Sequence, residues 1–220
     1  EFPMSDLVTY SVQDGVAVIS INNPPVNALG PGVPEGILEG IEKAKSEESV
    51  SAIVLIGSGK TFIAGADIKQ LAMMSSGAIE RGAGLSPLLM AIEDTEKPVV
   101  CAIHGTALGG GLEIAMACHY RIAVARSRVG QPEVKIGIIP GAEGTQRLPR
   151  LIGIVAAAEL CASGRMVSAQ EGEKLGVIDA IVGDDLLSEA IQFALTKVKE
   201  NAPPRKTRDL HDMLQLNETA

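Results

Sequence analysis

Residues 97–125 read KPVVCAIHGTALGGGLEIAMACHYRIAVA. A β-branched apolar run follows Pro98, three glycines stand at 109–111, an apolar stretch of helical length comes next, and a second strand-like run begins at Tyr120. Short apolar runs without alternation are what strands buried on both faces require. Strand, helix and strand at this spacing predict parallel strands joined by crossovers, an α/β fold. The pattern extends outward in both directions. VAVISIN (16–22) and SAIVLIG (51–57) read as further strands, and PEGILEGIEKAKSEE (34–48) and LSPLLMAIEDTE (85–96) as helices between them. After residue 145 the chain turns mainly helical, with VAAAELCASG (155–164), SAQEGEKLG (168–176) and LLSEAIQFALTKVKENA (186–202). NAPPRKTR (201–208) interrupts with two prolines and a basic cluster, and a final polar helix is expected from Asp209.

The 220 residues suit one domain. Hydrophobic content of 46% with 21% charged residues is that of a globular chain with a large core. A net charge of −8 and the scarcity of aromatics (three Phe, two Tyr, no Trp) argue against nucleic acid as a partner. No apolar run reaches the ~18 residues of a membrane span, so no membrane partner is expected. Cys101, Cys118 and Cys161 are odd in number and lie in apolar surroundings, which predicts buried thiols in a reducing compartment. The first residues, EFPMSDLV, carry no basic segment followed by an apolar one, and the expectation is a protein that is not secreted. The last four, NETA, are not a Ser-Lys-Leu address.

Two tempting motifs fail. GSGKT (57–61) ends like a phosphate-binding loop, but the first glycine of that pattern would fall at Val54, inside a strand. A tight turn after the strand is the reading that remains. No G-x-G-x-x-G occurs, so a dinucleotide-binding unit is unsupported. His104, His119 and His211 show no ligand spacing with the cysteines or acids, and no metal is assigned.

The glycines at 109–111 are another matter. A helix starting there leaves its first N–H groups without intrahelical partners, at the positive end of the helix dipole. Glycine lets a ligand oxygen approach that backbone closely. Glu113 follows three residues after Gly110, on the same helix face. A backbone donor with a carboxylate one turn behind it is half of a site that holds a carbonyl oxygen while a base works nearby. The alternative is close helix–strand contact through small residues, with Glu113 partnered by a buried Arg or Lys. On this stretch alone both stand. FIAGADIK (62–69) again places Gly and Ala where a chain leaves a strand, and GQPEVKIGIIPGAEGTQRL (130–148) supplies a second acid, Glu133, stiffened by Pro132. The three segments together weigh toward a catalytic constellation.

With these motifs, and with NPPVNAL (23–29) and SGRMVSAQEGEKLGVID (163–179), the chain resembles the enoyl-CoA hydratase/isomerase family, the crotonases, from about Leu7 to Lys199. GGGLE, CHYRIA and RKTR are most similar to the N-terminal hydratase part of multifunctional β-oxidation enzymes. The resemblance implies a crotonase-like ββα spiral core with surrounding helices over residues 4–200. Residues 201–220 would be the truncated start of a C-terminal helical segment. It implies an oxyanion hole from the N–H groups of Ala66 and Gly110, and catalysis by Glu113 and Glu133. Coenzyme A, part of the substrate rather than a cofactor, would lie against Val26, Ala28, Ala64, Ile68 and Lys69. Asp67 is read as a turn or helix N-cap residue, and Arg147 and Arg150 as structural partners. Glu143, where many relatives carry a small residue, is an exposed loop charge or a neighbour that raises the pKa of Glu133.

The function so implied is hydration of 2-enoyl-CoA thioesters to 3-hydroxyacyl-CoA in fatty acid β-oxidation. The alternatives are a 3-to-2 enoyl-CoA isomerase on the same scaffold, or an acyl-CoA-binding fragment with little turnover. Possible assemblies are a homo-oligomer or a covalent fusion to a 3-hydroxyacyl-CoA dehydrogenase part. The implied location is cytoplasmic in a bacterium and peroxisomal in a eukaryotic multifunctional enzyme.

Overall fold

The computed structural model describes residues 7–67 and 84–215. Its frame is a six-stranded sheet in the order β1-β2-β3-β4-β6-β9, formed by β1 (Val8–Gln13), β2 (Val16–Ile21), β3 (Ala52–Gly57), β4 (Val99–Ile103), β6 (Tyr120–Val124) and β9 (Ala180–Val182). Only the β1–β2 pair is antiparallel; the remaining neighbours run parallel. A smaller sheet joins β5 (Thr106–Leu108), β7 (Arg128–Gly130) and β8 (Met166–Ser168). The α/β expectation holds, and the four strands foreseen from sequence are all present. The short strands at 106–108, 128–130, 166–168 and 180–182 carry too few residues to show a pattern, and tertiary pairing alone creates them.

Period-two alternation divides the large sheet's side chains between two cores. Ala17, Ile19, Ile53, Leu55, Val99, Cys101 and Ile103 face one core, shared with helices α1 (Val33–Ser46), α2 (Ser86–Glu93) and α3 (Gly110–Ala117). Val16, Val18, Ala52, Val54, Val100 and Ala102 face the other. That second core is covered by Leu186, Ala190, Ile191 and Ala194 of a long C-terminal helix, Leu186–Lys199. Between β8 and that helix lies Ala169–Leu175, and ahead of β8 stand α4 (Gly144–Ile152) and α5 (Ile154–Ser163). The helices read from sequence match these within a few residues. The polar helix expected from Asp209 does not form: Thr207–Asp209 and Asp212–Leu214 are single 3-10 turns. The backbone there is tied to the body instead, with the buried Thr207 hydroxyl donating to the Met116 carbonyl at 2.7 Å.

One crossing brings the motifs together. Between β4 and β5 the chain turns at Gly105, whose φ is +60° and whose absent Cβ would lie 2.2 Å from the Lys60 carbonyl. Only glycine fits there. The 61–66 segment then runs beside β5, with Phe62 N–H donating to His104 O (2.9 Å) and Leu108 N–H donating to Ile63 O (3.1 Å). FIAGAD and LGGGLE, more than forty positions apart in sequence, therefore leave their strands side by side.

Candidate active site

Helix α3 begins at Gly110, as the glycine pattern suggested, and its three glycines answer to three different neighbours. Gly109 takes φ +52° and ψ −126°, and a Cβ there would sit 2.9 Å from Glu133 Oε1. A Cβ on Gly110 would meet the Leu29 side chain at 2.7 Å, and one on Gly111 would fall 2.4 Å from the Ile63 carbonyl oxygen. The two readings of this stretch thus divide between residues. Gly111 serves close helix–strand contact, and Gly109 makes room for a carboxylate.

Glu113 is 2% exposed, and among the described residues no Arg or Lys makes a hydrogen bond or ion pair with it. Its Oε1 accepts the backbone N–H groups of Ala142 (2.8 Å) and Gly144 (2.7 Å), in the turn ahead of α4. The buried partner foreseen in the structural alternative is therefore backbone. Burial pushes the carboxyl's pKa up, the two amides pull it down, the charge of Glu143 raises it and that of Arg147 lowers it. Oε2 is left on the side of Gly110.

Glu133 opens a 3-10 turn, Glu133–Ile136, directly after Pro132. Burial first, and the charge of Glu113 behind it, raise its pKa to about 7. Gln131, fully buried, sets one end of its side-chain amide 2.9 and 3.1 Å from the two Glu133 oxygens, where its nitrogen donates to both when the amide is turned to face them. Two carboxylates thus share the N-terminal end of α3 in unequal environments. Gln131 and the amides of Ala142 and Gly144 were not foreseen; Gln131 lies two residues from Glu133 in the quoted motif, and backbone donors leave no mark in a sequence.

Ala66 forms an isolated parallel bridge with Leu29. Leu29 N–H donates to Gly65 O (2.9 Å), so the ladder bonds run through residues flanking Ala66, and Ala66's own N–H points off the ladder. Leu29 also stands against Gly110. Ala66 and Gly110 therefore both border Leu29, one through its backbone and the other through its side chain. Val26 O accepts from Ala64 N–H (3.1 Å), and Ala28 O accepts from the Asn23 side chain (2.7 Å), so Val26, Ala28 and Ala64 form one exposed-to-half-buried ledge. Asn27, with φ +53° and 3% exposed, holds that ledge by donating to Ser58 O and Thr61 O. Ile68 and Lys69 lie outside the described residues.

Two further expectations need adjusting, and a third holds. Cys101 and Cys118 are buried, but Cys161 is only half-buried, on α5. Glu143 is not a simple loop charge: it bridges to Arg147 at 2.8 Å, and its repulsion acts on Glu113 rather than Glu133. Arg147 and Arg150 are structural partners as read, Arg147 to Glu93 and Arg150 to the carbonyls of Gln146 and Arg208. Among the described residues no group of three His, Cys, Asp or Glu is arranged to hold a metal ion, and no helix is long and apolar enough to cross a membrane.

Comparison with known proteins places this geometry. The family model described as "Enoyl-CoA hydratase/isomerase" matches residues 11–217. A peroxisomal bifunctional enzyme of Cavia porcellus is 49% identical over 192 residues, covering 87% of this chain and 26% of that protein. A probable enoyl-CoA hydratase of Bacillus subtilis (strain 168) is 41% identical over 202 residues, covering 89% of this chain and 77% of its own length. Among solved structures, an enoyl-CoA hydratase from Bacillus anthracis superposes with a TM-score of 0.82 at 36% identity, over 90% of this chain and 78% of that one. The chain spans about a quarter of the length of the peroxisomal relatives it matches.

Proposed function

Because the chain belongs to the enoyl-CoA hydratase/isomerase family, we propose that it adds water across the 2,3 double bond of 2-enoyl-CoA thioesters to give 3-hydroxyacyl-CoA, as a step of fatty acid β-oxidation. The observation that carries this reading is the inequality of the two glutamates. Glu113 is fixed by two amides through one oxygen, which leaves the other to accept a proton from water. Glu133, raised to about 7, keeps a proton available at neutral pH. Water oxygen bonds to Cβ as Glu113 takes its proton, and the π electrons move toward the thioester. The N–H groups of Ala66 and Gly110 hold the oxygen on which negative charge gathers, each worth about 3–4 kcal/mol of barrier. Glu133 then delivers its proton to Cα. Acid–base work of this kind contributes about 10²–10⁴-fold. The step needs only these groups.

Coenzyme A lies, in this reading, along the ledge of Val26, Ala28 and Ala64, with Ile68 and Lys69 as the further contacts the family resemblance implies. An isomerase needs one base shuttling a proton between carbons, and the second, separately tuned carboxylate favours hydration. Homology to the N-terminal quarter or so of peroxisomal bifunctional enzymes supports a setting in a longer chain that also carries a 3-hydroxyacyl-CoA dehydrogenase part. Loss of the conjugated enoyl-thioester absorbance of crotonyl-CoA tests the reaction. Tight CoA binding without turnover would instead identify an acyl-CoA-binding protein.

A further inference from the structure

We propose that Glu143 and Arg147 are positioning residues for Glu113, forming an ionic brace that sets the 142–144 turn so that two amides hold one carboxylate oxygen. This rests on the reading of Glu113 as the group that takes the proton of water. The turn is short and built against its own preference. Glu143 has φ +68°, in the left-handed region that a residue with a Cβ avoids. A non-glycine residue stays there only when its surroundings hold it. What holds it is Arg147, one helical turn along α4, with Nε to Glu143 Oε2 at 3.0 Å and Nη2 to the same oxygen at 2.8 Å.

Arg147 is itself immobilised. It is 2% exposed and makes a two-pronged pair with Glu93, which is wholly buried, at 2.7 and 3.0 Å. Two parallel bonds fix the guanidinium plane as well as its position. Glu93 in turn accepts the backbone N–H of Arg208 at 2.9 Å. Glu143 is therefore anchored through Arg147 to α2 and to the segment after the last long helix, and cannot move without giving up its bridge to Arg147. Its neighbours in sequence, Ala142 and Gly144, are the two donors to Glu113. Gly144 has no freedom to compensate: a Cβ there would lie 2.7 Å from Glu113 Oε1 and 2.6 Å from the Gln131 amide.

The charged and titratable groups facing Glu113 are Glu143 and Arg147 of the brace, Glu133 across the site, and Cys161 on α5. Of these, removing Glu143 takes away a like charge and leaves Arg147 acting alone, so Glu113 becomes easier to ionise. Loosening the two amides acts the other way, because their hydrogen bonds favour the charged carboxylate, so the brace is read as the difference between a variant that removes only the charge and one that also frees the turn.

The variants are Glu143→Gly, which relieves the left-handed backbone and so preserves folding, and Glu143→Gln, which keeps an oxygen for Arg147 without the charge. Two measurements are made: hydrogen exchange of the Ala142 and Gly144 amides, and the pH profile of crotonyl-CoA hydration. In Glu143→Gly both amides should exchange at least about tenfold faster and kcat should fall about tenfold with KM unchanged. The acidic limb of its profile should lie at higher pH than that of Glu143→Gln, because the freed amides no longer favour the charged Glu113. Glu143→Gln should recover most of kcat, with its acidic limb below that of wild type because only the like charge is gone. Unchanged amide exchange or a wild-type kcat in Glu143→Gly, or an acidic limb there no higher than that of Glu143→Gln, overturns the proposal. If the wild-type protein hydrates no enoyl-CoA, the functional reading falls by itself. The amide exchange then decides the brace alone, faster supporting it and unchanged overturning it.

Discussion

At the scale of single residues, Glu133 is where environment most alters chemistry. A carboxyl with an ordinary value of 4.5 sits at about 7 because burial disfavours its charged form. Its raised value makes the folded protein bind a proton that the unfolded chain has released between about pH 4.5 and about pH 7. Stability from this group is thus fully present below about 4.5 and is lost as pH rises through about 7. Glu133→Gln removes the buried charge while keeping the shape. Its melting temperature should match wild type near pH 4 and exceed it increasingly toward pH 8. The same substitution should abolish crotonyl-CoA hydration, and full hydratase activity in it would sink the two-glutamate mechanism. In the wild type, kcat/KM should decline above about pH 7, as the proton that Glu133 must donate is lost.

At the scale of the element, helix α3 does different work at its two ends. Its N-terminus presents glycines to the site. Its C-terminus is closed by Arg121, whose Nη1 donates to the carbonyls of Cys118 (2.8 Å) and Ala115 (3.3 Å), a cation at the negative end of the helix. The glycines should separate by substitution. Gly111→Ala drives a Cβ into the Ile63 backbone and should cost about 1–3 kcal/mol or more in a denaturant titration. Gly109→Ala meets Glu133 Oε1 at 2.9 Å, a displacement at the chemistry itself, and should lower hydration about a hundredfold. A Gly109→Ala protein with the wild-type rate would show that Glu133 needs no such clearance.

At the scale of the whole molecule, buried charges fasten the later part of the chain to the earlier. Arg121 is wholly buried in β6. Its Nε donates to Val177 O at 2.8 Å, and Asp179 receives both its backbone N–H (2.7 Å) and its Nη2 (3.3 Å). Asp179 also meets Arg205, which lies over the Tyr120 ring. The basic cluster at 205–208 is consequently internal: Lys206 pairs with Asp94 at 2.8 Å, and Arg208 with the same carboxylate. Asp179→Asn leaves Arg121 buried without its counter-charge and should destabilise by about 3 kcal/mol in urea unfolding. A loss below about 1 kcal/mol would mean the backbone carbonyls around Arg121 suffice.

The amino-acid sequence by itself determined the parallel α/β frame and the boundaries of its long elements. Those follow from local periodicity, the alternation in VAVISIN or the helical apolar face of residues 34–48. Together with the quoted motifs it also determined Glu113, Glu133, Gly110 and Ala66 as the residues to watch. It did not determine what holds Glu113, because the donors at 142 and 144 are backbone groups that any residue type carries. Nor did it separate the duties of Gly109 and Gly111, since both show only the absence of a side chain, and what that absence admits lies in Glu133 and Ile63. The pairing of Glu143 with Arg147 obeys helical spacing, yet its anchor at Glu93 lies 54 positions away. Only the folded chain brings such groups within hydrogen-bond reach, and only there do burial of both glutamates and the two amides on Glu113 make them unequal.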